Sequence, residues 1–297
     1  MKLNRIIGCV VMLLSFSLVF TACQKLDRPE LGELVLDPDP PPYEPLKSFW
    51  SFEGNATDAG ESKLTPVTSN VSYMAGITGQ AVKIGPGGYI LYKGTDTVRH
   101  PNGFVGLSAD TLRNLGSFTV SYWMNVPGPV QGGAQGVFAF SHKTQFWGNL
   151  EVFLENWSNA ADPSEVFIKV HMFNAGVATG NGEQWNEVKI PGVLGKWSHI
   201  AITYDAATSQ FSIFANGVVV PNFDKKVLAG GNYGKVRFNE FNGLVLGSFA
   251  FQTTPSLTTV HGSEAWAKSL NGSLDQFRIY NKALTAAEIT NLFTTKQ

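Results

Sequence analysis

A chain of 297 residues with 12% aromatic and only 15% charged side chains can bury a sizeable core, and its formal net charge of −1 provides no surface for neutralising nucleic-acid phosphates. Both cysteines, Cys9 and Cys23, lie near the N-terminus, so the rest of the chain excludes disulfide frameworks, cysteine-ligated zinc and thiol nucleophiles.

Lys2 and Arg5 precede an apolar run from Ile6 to Phe20 and then the small residues Thr21, Ala22 and Cys23, which is the layout of a secretory signal over residues 1–22. The alternative, an uncleaved anchor helix, would need a longer run. Ending in "FTAC", the segment resembles the bacterial lipoprotein signal, which is cut before a cysteine that then carries lipid; Phe20 stands where Leu or Val is usual. The resemblance implies lipidation of Cys23 and an anchor in the bacterial cell envelope, at the outer membrane, so that the membrane is met through the lipid alone. Loss of Lys2 and Arg5 takes the basic count from 22 to 20 against 23 acids. Residues 23–45 turn proline-rich, with Pro38, Pro40, Pro41, Pro42 and Pro45, a composition that makes a stiff spacer and no core.

Residues 46–297 form one expected domain dominated by period-2 alternation. Strands are predicted near Gln80 to Ile84 and Gly88 to Tyr92, with "IGPGG" as a turn between them. "SFTVSYWMNV" sends Phe118, Val120, Tyr122, Met124 and Val126 to one face, and further strands fall near Gly136 to Ser141, Leu150 to Asn156 and Val166 to Phe173. "WSHIAITYD" alternates from Trp197 to Asp205, and "QFSIFANGVVV" breaks at Asn216-Gly217, a strong hairpin signal. Short strands follow near Leu244 to Leu246 and Leu274 to Tyr280. One helix is expected at the C-terminus, where Thr285 and Glu288 make a capping box ahead of Ile289, Leu292 and Phe293. Many short strands and almost no helix predict an all-β, two-sheet antiparallel sandwich.

The blocks "FWSFEGNATDAG", "GQAVKIGPGGYILY", "LGSFTVSYWMNV", "GKWSHIAITYDAATSQFSIFANGVVV", "LVLGSF" and "LNGSLDQFRIYNKALTAAEITNLF" resemble, in that order, the laminin G-like, concanavalin A-like jelly-roll family. The resemblance implies a jelly roll whose first and last strands are neighbours, with Trp50, Trp123 and Trp197 in the scaffold and His199 a structural histidine. The stretch from about Lys143 to Asn186 matches least, and variable segments on a shared scaffold are where specificity resides.

Two constellations stand out. In strict alternation Asp275 shares a face with Phe277 and Ile279, an expensive place for a carboxylate unless donors or a cation meet it. Given the family's strand pairing, Glu53, Asp58 and Asp275 converge on a calcium ion, or Asp275 accepts backbone N–H groups of the first loop and needs no metal. The second lies in "WGNLEVFLENW": Trp147, Asn149, Glu151, Phe153, Glu155 and Trp157 point outward, as do Phe167, Lys169 and His171 on the next strand, with Trp185 and Trp266 as rim loops. Rings and hydrogen-bonding heads in one phase suit a polysaccharide; without the rings, the pattern is an ordinary solvated face.

The expected function is therefore non-catalytic glycan binding by an envelope-anchored lipoprotein, alongside proteins of polysaccharide uptake. Two alternatives stand beside it: a protein-binding adhesion module, and a laminarinase-like glycoside hydrolase. That hydrolase pattern is Glu-x-Asp-x-Glu; Glu151 and Glu155 have its spacing, but Phe153 occupies the central position.

Overall fold

The computed structural model describes residues 44–93, 112–177, 182–223 and 226–297, with backbone only for 97–99 and 105–107. The signal segment, Cys23 and all but the end of the proline-rich spacer lie outside the described residues.

In chain order the strands are β1 (Leu46–Trp50), β2 (Pro66–Ala75), β3 (Gln80–Lys93), β4 (Thr97–Arg99), β5 (Val105–Leu107), β6 (Phe118–Asn125), β7 (Ala134–Phe140), β8 (Leu150–Leu154) and β9 (Val166–Phe173). They continue with β10 (Glu183–Ile190), β11 (Trp197–Asp205), β12 (Gln210–Ala215), β13 (Val218–Val219), β14 (Lys226–Val227), β15 (Gly243–Leu246), β16 (Ala267–Ser269) and β17 (Ser273–Tyr280), before the C-terminal helix α1 (Ala286–Thr294). All but β4 and β5 belong to one continuous sheet, whose main path runs β10, β9, β8, β7, β15, β3, β17, β6, β11, β12, β13.

That sheet folds over on itself to make the expected sandwich. Phe138 of β7 meets Tyr122 of β6 at 5.9 Å and Phe277 of β17 at 5.4 Å, although several strands separate them along the ladder. Between the layers lie Val152, Ile168, Val170, Ile200, Ile202 and Phe277, all fully buried. β1 pairs antiparallel with β17, so the first and last strands are neighbours as expected. β3 serves both layers: Val82 and Lys83 pair with β17, while Ile90 to Lys93 pair with β15. "IGPGG" is therefore a bend inside one strand rather than a turn between two, with Gly87 at φ 68° and Asn70 Nδ2 donating to the Pro86 carbonyl across a register shift in β2.

The two outer faces differ, and this difference positions the site. Helix α1 starts on the expected capping box and lays Ile289 and Leu292 against Ala201, Phe214 and Tyr280. Phe293 stacks on Trp123 at 5.5 Å, so the outward side chains of β6 and β11 are covered. Under that cover His199 Nε2 and Ser121 Oγ lie 2.8 Å apart, both fully buried, which fits a structural histidine. Among the described residues no α-helix covers the outer face of β7 to β10. A loop from Phe249 to Trp266 covers only its β7 end, where Phe249 and Phe251 cluster with Phe153, Phe146 and Trp147.

Candidate functional site: an aromatic corner over a buried glutamate

β8 and β9 form the antiparallel hairpin that the sequence suggests, with Glu151 opposite His171 and Phe153 opposite Lys169. The alternation sends Leu150, Val152 and Leu154 into the core and turns Glu151 and Phe153 outward. Outward does not mean exposed here. Phe153 is buried beneath Trp147, which stacks on it at 5.6 Å and 6°, and Glu151 is wholly buried.

Three tryptophans from distant segments converge over these residues. Trp147 and Trp185 meet at 5.0 Å with their planes at 87°, and Trp266 lies 5.9 Å from Trp147. Trp185 and Trp266 remain 37% and 40% exposed, so the corner is open to solvent. His171 lies 4.7 Å from Trp185, and Phe146 contacts Trp147 at 4.8 Å and His261 at 4.2 Å. Trp185 sits on strand β10 and not in a loop, which corrects the sequence expectation; Trp266 does precede β16 in a turn.

Glu151 is electrostatically unusual. Burial pushes its carboxyl up to about 7, and the backbone N–H groups of Gly148 and Ala250 offset only part of that. The Gly148 N–H donates to Oε2 at 3.1 Å, while Oε1 has no hydrogen-bonding partner. His171 Nδ1 donates to the Gly148 carbonyl at 2.9 Å, and its Nε2 faces Glu183 Oε1 at 3.1 Å. Burial lowers the His171 pKa, with Glu183 opposing. Beside Trp266, a cleft of about 430 Å³ is lined by Gln252, Ser263, Glu264 and Lys268.

Other predicted residues go elsewhere. Asn149 is fully buried, donating to the Ser141 and Asn239 carbonyls at 2.7 and 2.9 Å and accepting from the Asn239 N–H, so it braces loops. Trp157 belongs to a separate cluster: its Nε1 donates to Glu165 at 2.9 Å and Lys189 Nζ sits 3.2 Å over its ring. Glu155 pairs with Lys169 at 3.0 Å, and Lys169 also reaches Glu187 at 3.4 Å, so both serve as cross-strand charges beside that cluster. Sequence reasoning missed Phe146, Glu183, Phe249, Phe251, His261 and Glu264; only Phe249 and Phe251, alternating on from β15 in "LGSFAF", carried a local signal.

A roomier cavity of about 860 Å³ lies along the β10 and β13 edges, but among the described residues its walls are mostly apolar, with Glu187, Lys189 and Asn222 as the polar side chains. Ring faces and acceptors converge at the tryptophan corner instead, and the site is placed there.

The predicted carboxylate trio divides. Asp58 accepts the N–H groups of Phe49, Gly60 and Leu64 at 2.9, 2.8 and 3.2 Å and braces its own loop. Asp275 and Glu53 instead grip one turn, Gly76 to Gln80. Asp275 Oδ2 accepts from Ile77 at 2.8 Å and Thr78 at 3.4 Å, its Oδ1 accepts from Gln276 at 2.7 Å, and Glu53 Oε2 accepts from Gln80 at 3.0 Å. Glycine suits both positions, because a Cβ on Gly76 would run into the Gln80 backbone and Gly79 sits at φ 58°. The donors that meet Asp275 thus come mainly from the β2–β3 turn and not from the first loop. Strict alternation also fails: Gln276 at φ 49° makes a bulge, so Leu274, Phe277 and Ile279 face the core and Asp275 does not share their phase. Among the described residues no three acidic, histidine or cysteine side chains converge as metal ligands.

A two-layered antiparallel sandwich with this strand path is a concanavalin A-like jelly roll. Residues 95–238 match the laminin G-like family model described as the concanavalin A-like lectin/glucanases superfamily. Solved structures of similar fold include the binding domain of botulinum neurotoxin DC in complex with rat synaptotagmin II, at 13% identity and TM-score 0.54, covering 84% of this chain and 51% of that one. The same binding domain in complex with SialylT gives 12% identity, TM-score 0.53 and coverage of 85% and 51%. The binding domain of Paraclostridial Mosquitocidal Protein 1 gives 14%, 0.54, 84% and 52%. This chain spans about half the length of those structures, and at such identities the likeness shows the fold alone. No curated protein matches the chain.

Proposed function

We propose that this domain binds a polysaccharide without cleaving it, at the corner formed by Trp147, Trp185 and Trp266. The observation that carries the reading is the convergence of three rings from distant segments, two of them more than a third exposed, beside a polar cleft. Sugar C–H faces stack on such rings while hydroxyls take the polar rim. Structural neighbours crystallised with SialylT or with a synaptotagmin are in keeping with recognition as the task of this fold. Hydrolysis is disfavoured because Phe153 separates Glu151 from Glu155, and Glu155 is engaged by Lys169.

Retention of the protein on immobilised polysaccharides tests the reading. Trp185→Ala is expected to weaken retention by about tenfold or more, as loss of a central aromatic anchor does, and Trp157→Ala to leave it unchanged. Release of reducing sugar that disappears on Glu151→Gln would overturn non-catalytic binding. Retention by no polysaccharide would favour the adhesion alternative.

The protein is further proposed to be held at the bacterial envelope, in the outer membrane, by lipid on Cys23, with the proline-rich segment as spacer and polysaccharide-uptake proteins as neighbours. The motivation is the signal layout ending in "FTAC". Metabolic fatty-acid labelling should mark the wild-type chain and not Cys23→Ser; equal labelling of both would sink the anchor. The cofactor we propose is a calcium ion shared by Glu53 and Asp275, since burial first and the Glu53 charge after it push Asp275 up to about 6, a repulsion a cation would relieve.

A further inference from the structure

We infer that the saccharide taken by the tryptophan corner carries a protonated amine, as an amino sugar with a free ammonium group does; this rests on the glycan reading above. Two features of the corner point to a cation more than to a flat neutral ring.

The first is shape. Trp147 and Trp185 stand at 87° to one another, and Trp266 is tilted 52° to Trp147. A flat pyranose face needs a platform, whereas walls meeting at a right angle suit a compact group held by several ring faces, which is how aromatic cages hold ammonium groups.

The second is an excess of acceptors over donors. His171 must donate from Nδ1, because its partner there is the Gly148 carbonyl. Burial favours the neutral ring, and neutral His171 then turns the lone pair of Nε2 towards Glu183 Oε1, acceptor against acceptor at 3.1 Å. Glu183 is two residues from Trp185 on the outward phase of β10, and its side chain is 56% exposed. At the Trp266 side Glu264 pairs only with His261, at 3.0 Å.

Lys268 lines the cleft at the Trp266 side, but the cations near Trp185 do not restore the balance there. Lys169 is shared by Glu155 and Glu187, and Lys226 Nζ lies 3.4 Å from the backbone carbonyl of Trp185. On the Trp185 side, beside Glu183, donors and positive charge are left for the ligand to supply. An ammonium group brings three donors and one charge. Acetylation would remove that charge and most of the donors.

Calorimetric titration of the full chain at pH 6 with glucosamine oligosaccharides, and with the same oligosaccharides N-acetylated, tests this. The free amines are expected to bind about tenfold tighter or more at low salt, with the advantage shrinking at high salt. Glu183→Gln, an exposed change that does not threaten folding, should cut the advantage of the free amine over the acetylated ligand to about threefold or less. Equal or tighter binding of the acetylated form, or an advantage untouched by Glu183→Gln, would overturn the inference while leaving glycan binding intact. Binding of no saccharide at all would overturn both.

Discussion

Glu151→Gln should make the domain more stable at pH 8 and leave it nearly unchanged at pH 4. The folded-state pKa of about 7 lies above the ordinary carboxylate value of 4.5, so between these pH values the folded chain holds more proton than the unfolded one. Stability from this group is therefore full below 4.5 and falls as pH rises to 7. The difference between variant and wild type should grow through that window to about 3 kcal/mol and then level off. Part of the gain is offset because the glutamine N–H₂ meets the same lack of partners that Oε1 has. Taking the difference removes the other titrations: Asp275, raised in the same sense, and His199, which burial and Arg278 push down to about 4 and which favours unfolding as pH falls below its ordinary value. Urea unfolding of both proteins at pH 5 and pH 8 measures it. A difference constant across that range would mean that Glu151 does not titrate there, and the account of its burial would be wrong. A residue that costs a domain a sizeable share of its stability is expected at a functional site and hard to explain elsewhere. That links the pH profile to the proposed ligand corner.

The alternation of apolar residues made β9 and β11 legible to the residue, because each buries one face in the sandwich and the pattern is clean. β10 was not legible. Its inward positions open with Gln184 and Asn186 before Val188 and Ile190, and a Gly- and Asn-rich lead precedes it, so the segment has loop composition while acting as a strand. β2 escaped for a related reason: it pairs with β3 alone, and most of its side chains remain at least partly exposed. Asp275 was assigned the wrong phase because one bulge at Gln276 shifts every later side chain, and alternation has no signal for a residue at φ 49°. The site was half legible. Trp147, Glu151, Phe153, His171, Trp185 and Trp266 do meet, but what buries Glu151 comes from Phe249 to Trp266, and nothing in the local sequence brings that loop there. Asn149 and Trp157 shared the right phase and were diverted by partners far along the chain, Asn239 and Lys189.

Asp275→Ala is expected to cost about 3 kcal/mol at pH 5, because it strands the buried N–H groups of Ile77 and Gln276 and the weaker Thr78 contact together. The cost should be smaller at pH 8. Asp275 is raised to about 6, so in wild type its stabilisation is full below the ordinary value of 3.8 and declines as pH rises to 6, and the alanine chain has no such decline. Asp275→Asn should fall between, since one amide oxygen still accepts while the N–H₂ faces a donor. Calcium inverts the comparison: two carboxylates on the Gly76 to Gln80 turn are favoured by a cation, so the wild-type thermal midpoint should be higher in calcium than in chelator, and the gap should vanish in Asp275→Asn. Coincident wild-type midpoints would remove the metal and leave the three N–H groups as what meets Asp275. In both cases the strand that closes the sheet against β1 and β6 is tied to the β2–β3 turn through this one side chain. Loosening it should therefore raise amide exchange at Ile77 and Gln276 before exchange in β8 and β9 changes, which separates a fault at the chain's closure from damage to the ligand face.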